Sequence, residues 1–213
     1  MRFHRSQLRL YLVTDPQLCS RLGLVETVRR AVAGGVTMVQ LRDKDATTAE
    51  RVAMARALKQ ALAGSAVPIV VNDDVTAARE ADVDGAHIGQ GDISVAEARG
   101  VLGPDKMLGL SCETARAVAV ADPGLVDYLG LGPVFATATK SDHKTPIGFA
   151  GLAQMIKVSA LPAVAIGGLK TEHAAEIRAS GADGMAVVSA ICGTADPESA
   201  ARAFSRRNRE CEI

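Results

Sequence analysis

Several groups of polar residues in this chain have the types and spacing to grip a phosphorylated ligand. The first is Gln40-Leu41-Arg42-Asp43-Lys44. On an extended strand the two-residue period sends Gln40, Arg42 and Lys44 to one face. A guanidinium and an ammonium side by side there make a cationic claw for phosphate oxygens, although the same residues would also serve as a solvated strand end. The second group is rich in carboxylates: Asn72-Asp73-Asp74, and Asp92 in the Gly-flanked stretch His87-Ile88-Gly89-Gln90-Gly91-Asp92. Mg2+ takes oxygen ligands, commonly one or two carboxylates completed by substrate phosphate and water. Asp73 and Asp92 fit that role, and capping of the following helices is the competing use for Asp73, Asp74 and Asp92. Asp74 is the better-placed cap and Asp73 the better-placed ligand. His87, on a short apolar run, reads as a buried, hydrogen-bonded histidine rather than a general base. Ser111 either orients a polar ligand or caps the helix that starts near Thr114. Thr137, Thr139 and Lys140 offer hydroxyls and a compact positive charge. Gly167-Gly168 and Val187-Val188-Ser189 would bring backbone N–H groups close to a second phosphate. No Ser-His-Asp set, Cys-His pair or zinc spacing competes with this reading.

Residues so far apart in sequence meet only on a regular scaffold. Short runs rich in Val, Ile and Leu recur, each followed by an Ala-rich stretch of helical spacing, which predicts a parallel sheet covered by helices. Eight such units are present, with strands over 8–15, 37–43, 68–73, 85–89, 107–112, 127–133, 162–168 and 184–190. The matching helices are expected over 22–33, 47–63, 75–81, 94–101, 114–121, 149–158, 171–179 and 197–205. Thr47 with Glu50 and Ser94 with Glu97 have the spacing of capping boxes. The expected fold is α/β, a single (β/α)8 TIM barrel spanning 1–213 with a polar C-terminal tail from about 205 to 213. An open doubly wound sheet is the alternative, but the Gly-rich turn it needs after the first strand is missing. In such a barrel the strand C-termini face the active site, and every group named above lies at one. The turn texture Ala81-Asp82-Val83-Asp84-Gly85 and Gly181-Ala182-Asp183-Gly184 is read as structural. The connection over 135–148 is abnormally long and polar, and its part 141–148 is read as a lid.

Composition supports the same picture. The hydrophobic 48% is nearly all small and aliphatic, with no Trp, 4 Phe and 2 Tyr, which suits strands buried on both faces. The net charge of +0 gives no long-range field toward nucleic acid or a membrane, so an anionic ligand must be held by local groups. Apolar runs fall short of the roughly 18 residues of a membrane span, and Leu10-Tyr11-Leu12-Val13 is too brief for a signal-peptide core. The expectation is a soluble, cytoplasmic protein with phosphorylated small molecules as partners and neither nucleic acid nor membrane. Cys19, Cys112, Cys192 and Cys211 lack a paired spacing and read as free thiols.

Taken in order, these motifs resemble the thiamine phosphate synthase family. The resemblance rests on Gln40-Leu41-Arg42-Asp43-Lys44, Asn72-Asp73-Asp74, His87-Ile88-Gly89-Gln90-Gly91-Asp92, Ser111, Leu129-Gly130-Leu131-Gly132-Pro133, Thr137-Ala138-Thr139-Lys140, Ile166-Gly167-Gly168 and Val188-Ser189-Ala190-Ile191. It runs in one register from about residue 10 to 204. Each motif alone is modest; together, at consecutive strand ends, they are specific. The resemblance implies a transferase that joins 4-amino-2-methyl-5-hydroxymethylpyrimidine diphosphate to hydroxyethylthiazole phosphate, giving thiamine phosphate and diphosphate. It implies dissociative, Mg2+-assisted chemistry, in which diphosphate leaves before the thiazole nitrogen attacks. It implies further that Gln40, Leu41, Arg42, Asp43, Lys44, Asn72, Ser111 and Lys140 contact the pyrimidine diphosphate. Thr137, Ala138, Thr139, Gly168, Val188 and Ser189 would contact the thiazole phosphate, and Asp73 and Asp92 would bind Mg2+. Arg42, Lys44, Ser111 and Lys140 would carry catalysis. The stretch 141–147 is less typical of the family than its flanks. A thiazole tautomerase branch shares the fold but generally lacks the diphosphate and metal set retained here. A phosphate-ligand sensor would have no need of that set. The sequence leaves open whether the chain forms a homo-oligomer.

Overall fold

The computed structural model describes residues 3–137 and 145–210. Eight strands close into a barrel in chain order, each parallel to its neighbours. They are β1 (Leu10–Val13), β2 (Met38–Leu41), β3 (Ile69–Asn72), β4 (Gly85–Ile88), β5 (Met107–Cys112), β6 (Tyr128–Leu131), β7 (Ala163–Ile166) and β8 (Gly184–Val187). The covering helices are α1 (Leu24–Ala33), α2 (Thr48–Ala61), α3 (Val75–Glu80), α4 (Val95–Leu102), α5 (Ala115–Ala119), α6 (Gly148–Lys157), α7 (Ala174–Ala179), α8 (Ser189–Cys192) and α9 (Pro197–Glu210). Both capping boxes form, with Thr47 and Ser94 accepting from the N–H groups of Glu50 and Glu97.

Period-two alternation divides the apolar residues into two cores. Leu10, Leu12, Val39, Leu41 and Val71 point outward and pack under the helices. Tyr11, Val13, Met38, Val70, Met107, Tyr128, Val164 and Ala186 fill the lumen. Each fully buried Leu or Val contributes about 1.5–3 kcal/mol, so a one-residue slip of any strand, which swaps its two faces, is strongly disfavoured. The same alternation sends Gln40, Asn72, His87 and Ser111, two residues further along their strands, to the lumen's upper end.

The lower end is closed by a repeated device. The residue just before each even-numbered strand reaches back to the preceding odd-numbered strand and makes a reciprocal pair of hydrogen bonds. Asp84 donates its N–H to the Ile69 carbonyl (2.9 Å) and accepts the Ile69 N–H on Oδ2 (2.9 Å). Asp127 does the same with Leu108 (2.9 and 2.8 Å), and Asp183 with Ala163 (2.8 and 2.8 Å). Thr37 is the hydroxyl version: its N–H meets the Leu10 carbonyl at 2.9 Å, and its Oγ1 accepts the Leu10 N–H at 2.9 Å. The acidic turn texture of the sequence is therefore structural, and it satisfies an N–H in the first two residues of an odd strand.

Most element ends fall within a few residues of the expected bounds, and three differences matter more. The eighth strand ends at Val187, and Ser189–Cys192 turn into α8, because the Ile191 and Cys192 N–H groups bond the Val188 carbonyl. Residues 5–8 form a 3-10 turn capped by His4, so the first strand begins at Leu10 and not at 8. The last helix continues past 205 to Glu210, through residues expected as a polar tail.

Candidate active site

Each polar group at the upper rim is set by an identifiable brace. Thr14, fully buried just after β1, takes the Arg42 N–H on its hydroxyl at 2.9 Å and donates to the Arg42 carbonyl at 3.3 Å. The backbone of Arg42 is thus tied while its guanidinium stays at the rim. Beyond it, Arg51 of α2 donates from Nε and Nη2 to the Asp43 carbonyl (3.0 and 2.9 Å) and from Nη2 to the Lys44 carbonyl (3.4 Å). Asp43 spends its own carboxylate on the turn, accepting the N–H groups of Asp45 (3.1 Å) and Ala46 (3.2 Å). Leu41 is buried in the sheet–helix layer, so only its backbone is left to meet a ligand. Of the five residues, Gln40, Arg42 and Lys44 retain side chains suited to a polar ligand.

The two acids after β3 separate in function. Asp74 caps α3 by accepting the Ala77 N–H at 2.8 Å and pairs with Arg51, Nη1 to Oδ2 3.2 Å. Asp73 instead adopts a left-handed φ of 63°, which Asp tolerates better than most residues. That turn carries its side chain close enough to Asp92 for the two carboxyls to interact. Lost hydration raises the affinity of Asp73 for a proton first, and the interaction with Asp92 adds to the effect. Lys44 and Asn72 oppose it, and the Asp73 carboxyl is pushed up to about 6. Asp92 does not cap α4, a place Ser94 takes; its Oδ2 accepts the Gly89 N–H at 2.7 Å. Two neighbouring carboxylates that repel each other, both reachable from solvent, suit a hard cation. Among the described residues no group of three or more His, Cys, Asp and Glu converges, so such a cation would take its remaining oxygens from substrate or water.

Across the lumen lies a line of side chains that the sequence reading did not connect. Gln40 Nε2 donates to Tyr11 Oη (2.7 Å), Tyr11 Oη meets Tyr128 Oη (2.8 Å), and Tyr128 Oη meets His87 Nδ1 (3.1 Å). His87 Nε2 then meets Ser111 Oγ at 2.9 Å. His87 is buried and bonded, as expected. Ser111 does not cap α5, since Thr114 accepts the Ala117 N–H. Gln90 locks the β4 loop to the neighbouring strand, its Nε2 donating to the Ser111 carbonyl at 2.8 Å.

On the other side of the rim, β7 and β8 are neighbours. Gly168 has a φ of 62°, and a Cβ there would stand 2.6 Å from the Ala136 carbonyl oxygen and 2.9 Å from Phe135 Cβ. Only glycine permits this approach of the β7 loop to the β6 loop. Phe135 is held between Phe149 and His173, with ring centres 5.1 and 4.6 Å away. Val188 closes the top of the lumen core, and Ser189 opens α8, giving the short extra helix that often accompanies phosphate sites after the last two strands. Thr137 is half-buried beside them. Ala138, Thr139 and Lys140, and the first half of the expected lid, 141–144, lie outside the described residues.

Arg51, Tyr11 and Tyr128 were missed by sequence reasoning. The chain has only 2 tyrosines, both at lumen positions of a period-two strand, and that was the available signal. For Arg51, in an Ala-rich helix, there was none.

A closed barrel with charges of both signs gathered over a polar lumen at its strand C-termini is the architecture of a (β/α)8 enzyme. The thiamine monophosphate synthase family model matches residues 10–191, and the chain belongs to that family. It is a transferase of thiamine biosynthesis. Thiamine-phosphate synthase of Psychrobacter sp. (strain PRwf-1) is 53% identical over 197 residues, covering 91% of this chain and 92% of the relative. Thiamine-phosphate synthase of Xanthobacter autotrophicus is 52% identical, covering 92% and 93%. The solved thiamine phosphate pyrophosphorylase of Pyrococcus furiosus superposes with a TM-score of 0.88 at 33% identity, covering 97% of this chain and 98% of that one.

Proposed function

We propose that the protein condenses 4-amino-2-methyl-5-hydroxymethylpyrimidine diphosphate with hydroxyethylthiazole phosphate, releasing diphosphate and forming thiamine phosphate. The observation that supports this reading is that the Arg42 and Lys44 claw and the two carboxylates Asp73 and Asp92 lie at neighbouring strand ends, β2 to β4, with Arg51 tying the turn after β2 to Asp74 after β3. In this reading Asp73 and Asp92 hold Mg2+, which when bound would neutralise charge on the diphosphate leaving group. Arg42 and Lys44, with Lys140, donate to the diphosphate oxygens and take up negative charge as the C–O bond breaks. Gln40, Asn72 and Ser111 hold the pyrimidine. Gly168, Val188, Ser189 and Thr137, with Ala138 and Thr139, hold the thiazole phosphate so that the ring nitrogen faces the carbon that loses diphosphate. Because the leaving group departs first, no protein nucleophile is required. The reading places the protein in the cytoplasm, in keeping with its charge balance; no helix of the described residues is long and apolar enough to cross a membrane.

The test is an assay with both substrates and Mg2+ that follows diphosphate release and thiamine phosphate formation. Thoroughly demetallated protein is expected to be inactive and to recover on adding Mg2+. Turnover at the ordinary rate without divalent cation would remove the metal role, and absence of thiamine phosphate under any condition would remove the reading.

A further inference from the structure

The five-residue line across the lumen has a direction. Gln40 donates from Nε2 to Tyr11. If Tyr128 then also donated to Tyr11, the Tyr11 proton, on a side chain only 1% exposed, would have no acceptor. An unmatched buried donor costs about 1–3 kcal/mol, so the Tyr11 hydroxyl donates to Tyr128. Tyr128 in turn donates to His87 Nδ1, which leaves the His87 proton on Nε2, and Nε2 donates to Ser111 Oγ. Burial holds both phenols protonated, well above their usual range, so neither can reverse the line by losing its proton. Two glycines make the room: a Cβ on Gly109 would stand 2.3 Å from His87 Nδ1 and 2.3 Å from Tyr128 Cζ, and one on Gly130 would stand 3.2 Å from His87 Cε1.

The direction fixes what the two ends show to a ligand. With one Nε2 proton given to Tyr11, the Gln40 amide is held in one orientation, its carbonyl Oε1 left as an acceptor. Ser111, already accepting from His87, presents its hydroxyl proton as a donor. We propose that Tyr11, Tyr128 and His87 are positioning residues that hold Gln40 as an acceptor and Ser111 as a donor, and thereby select an amino-substituted pyrimidine over its oxo counterpart. An aminopyrimidine carries both complements, ring nitrogens that accept and an exocyclic amino group that donates. An oxo group in place of the amino group would set oxygen against oxygen at Gln40. This rests on the synthase reading and deepens it, by naming what sets the choice of pyrimidine.

The experiment compares steady-state kinetics of the amino substrate with its 4-oxo analogue, for the parent, Tyr11→Phe, Tyr128→Phe and the double variant, with melting temperatures measured in parallel. Each single variant keeps its ring and loses one hydroxyl. Each is expected to lower kcat/KM for the amino substrate by about 10- to 100-fold. The double variant is expected to be no worse than the worse single, because the line is already broken. In Tyr11→Phe the Gln40 amide is free to turn over, so the preference for amino over oxo should fall by at least about tenfold. KM for the thiazole phosphate should stay within about twofold of the parent. Unchanged amino-over-oxo preference in Tyr11→Phe, or losses that add in the double variant and follow the melting temperature, would overturn the proposal. Should Tyr128→Phe fail to fold, His87→Gln against His87→Ala replaces it: the glutamine amide can still donate toward Ser111 and should recover activity that alanine does not, and equal activities would count against the line. A parent that forms no thiamine phosphate removes the synthase reading and this proposal with it. An active parent with indifferent tyrosine variants removes this proposal alone.

Discussion

Arg51 on α2 and Asp74 after β3 form an ion pair, Nη1 to Oδ2 3.2 Å, with both side chains largely shielded from water. The same guanidinium holds the Asp43 carbonyl, so one side chain joins the end of β2 to the end of β3. Arg51→Ala is expected to lose about 1–3 kcal/mol of stability, since it leaves carbonyls and a carboxylate without their partner. It should also raise KM for the pyrimidine diphosphate while leaving that for the thiazole phosphate in place. Denaturation and two-substrate kinetics check both parts, and equal rises in the two KM values would show general loosening instead.

Adjacent acids should answer differently to the same change. Asp73→Asn relieves the repulsion with Asp92, so the metal-free protein should be at least as stable as the parent, while the Mg2+ concentration for half-maximal activity rises about tenfold or more. Asp74→Asn should do the reverse, keeping the Mg2+ titration and losing stability at neutral pH. Burial acts to raise the Asp74 carboxyl, but the Ala77 N–H, the Thr48 side chain and Arg51 together outweigh it and leave it below the ordinary 3.8. A depressed carboxyl contributes stability above its unfolded value and loses it as pH falls through the folded one. The gap between parent and Asp74→Asn should therefore be full above pH of about 5, narrow below about 4, and vanish in stronger acid. A gap constant with pH would mean that the ion pair contributes nothing.

Gly168→Ala forces a side chain into a left-handed φ and against the Ala136 carbonyl. We expect a stability loss of about 1–3 kcal/mol and a raised KM for the thiazole phosphate, with the pyrimidine diphosphate KM little changed. Calorimetry and kinetics check this. An unaltered thiazole phosphate KM would place that ligand elsewhere.

Arg42→Ala removes a rim charge whose backbone, and not its guanidinium, is tied into the fold. The melting temperature should hold within a few degrees, while turnover falls roughly 10- to 1,000-fold, the scale of lost preorganised charge stabilisation. Lys140→Ala should lower turnover likewise. A folded Arg42→Ala with parental turnover would show the claw to be misassigned.

The barrel itself was legible in the sequence because strand burial on both faces and helical spacing leave periodic marks that local reading can count. The rim was legible in part. Asp74 as the cap followed from helix-start chemistry, whereas the contact between Asp73 and Asp92 spans two strands and has no periodic sign. Ser189 was placed on a strand, because an apolar run cannot reveal that it bends into a one-turn helix. The Tyr11–Tyr128 contact joins residues 117 positions apart and depends on barrel closure, which no window of sequence contains.

The reciprocal hydrogen bonds at the barrel floor also say where the chain can be cut. Thr37 joins β1 to β2, Asp84 joins β3 to β4, Asp127 joins β5 to β6, and Asp183 joins β7 to β8. The floor is thus four two-strand units, each sealed by its own turn residue. A break in the loop between α4 and β5 leaves all four seals unbroken and separates the molecule into two half-barrels, one holding the claw and the carboxylate pair, the other the glycine-rich strand ends. Two co-expressed fragments divided there would each bring a complete set of seals to reassembly, whereas a break between β5 and β6 would divide a seal between them.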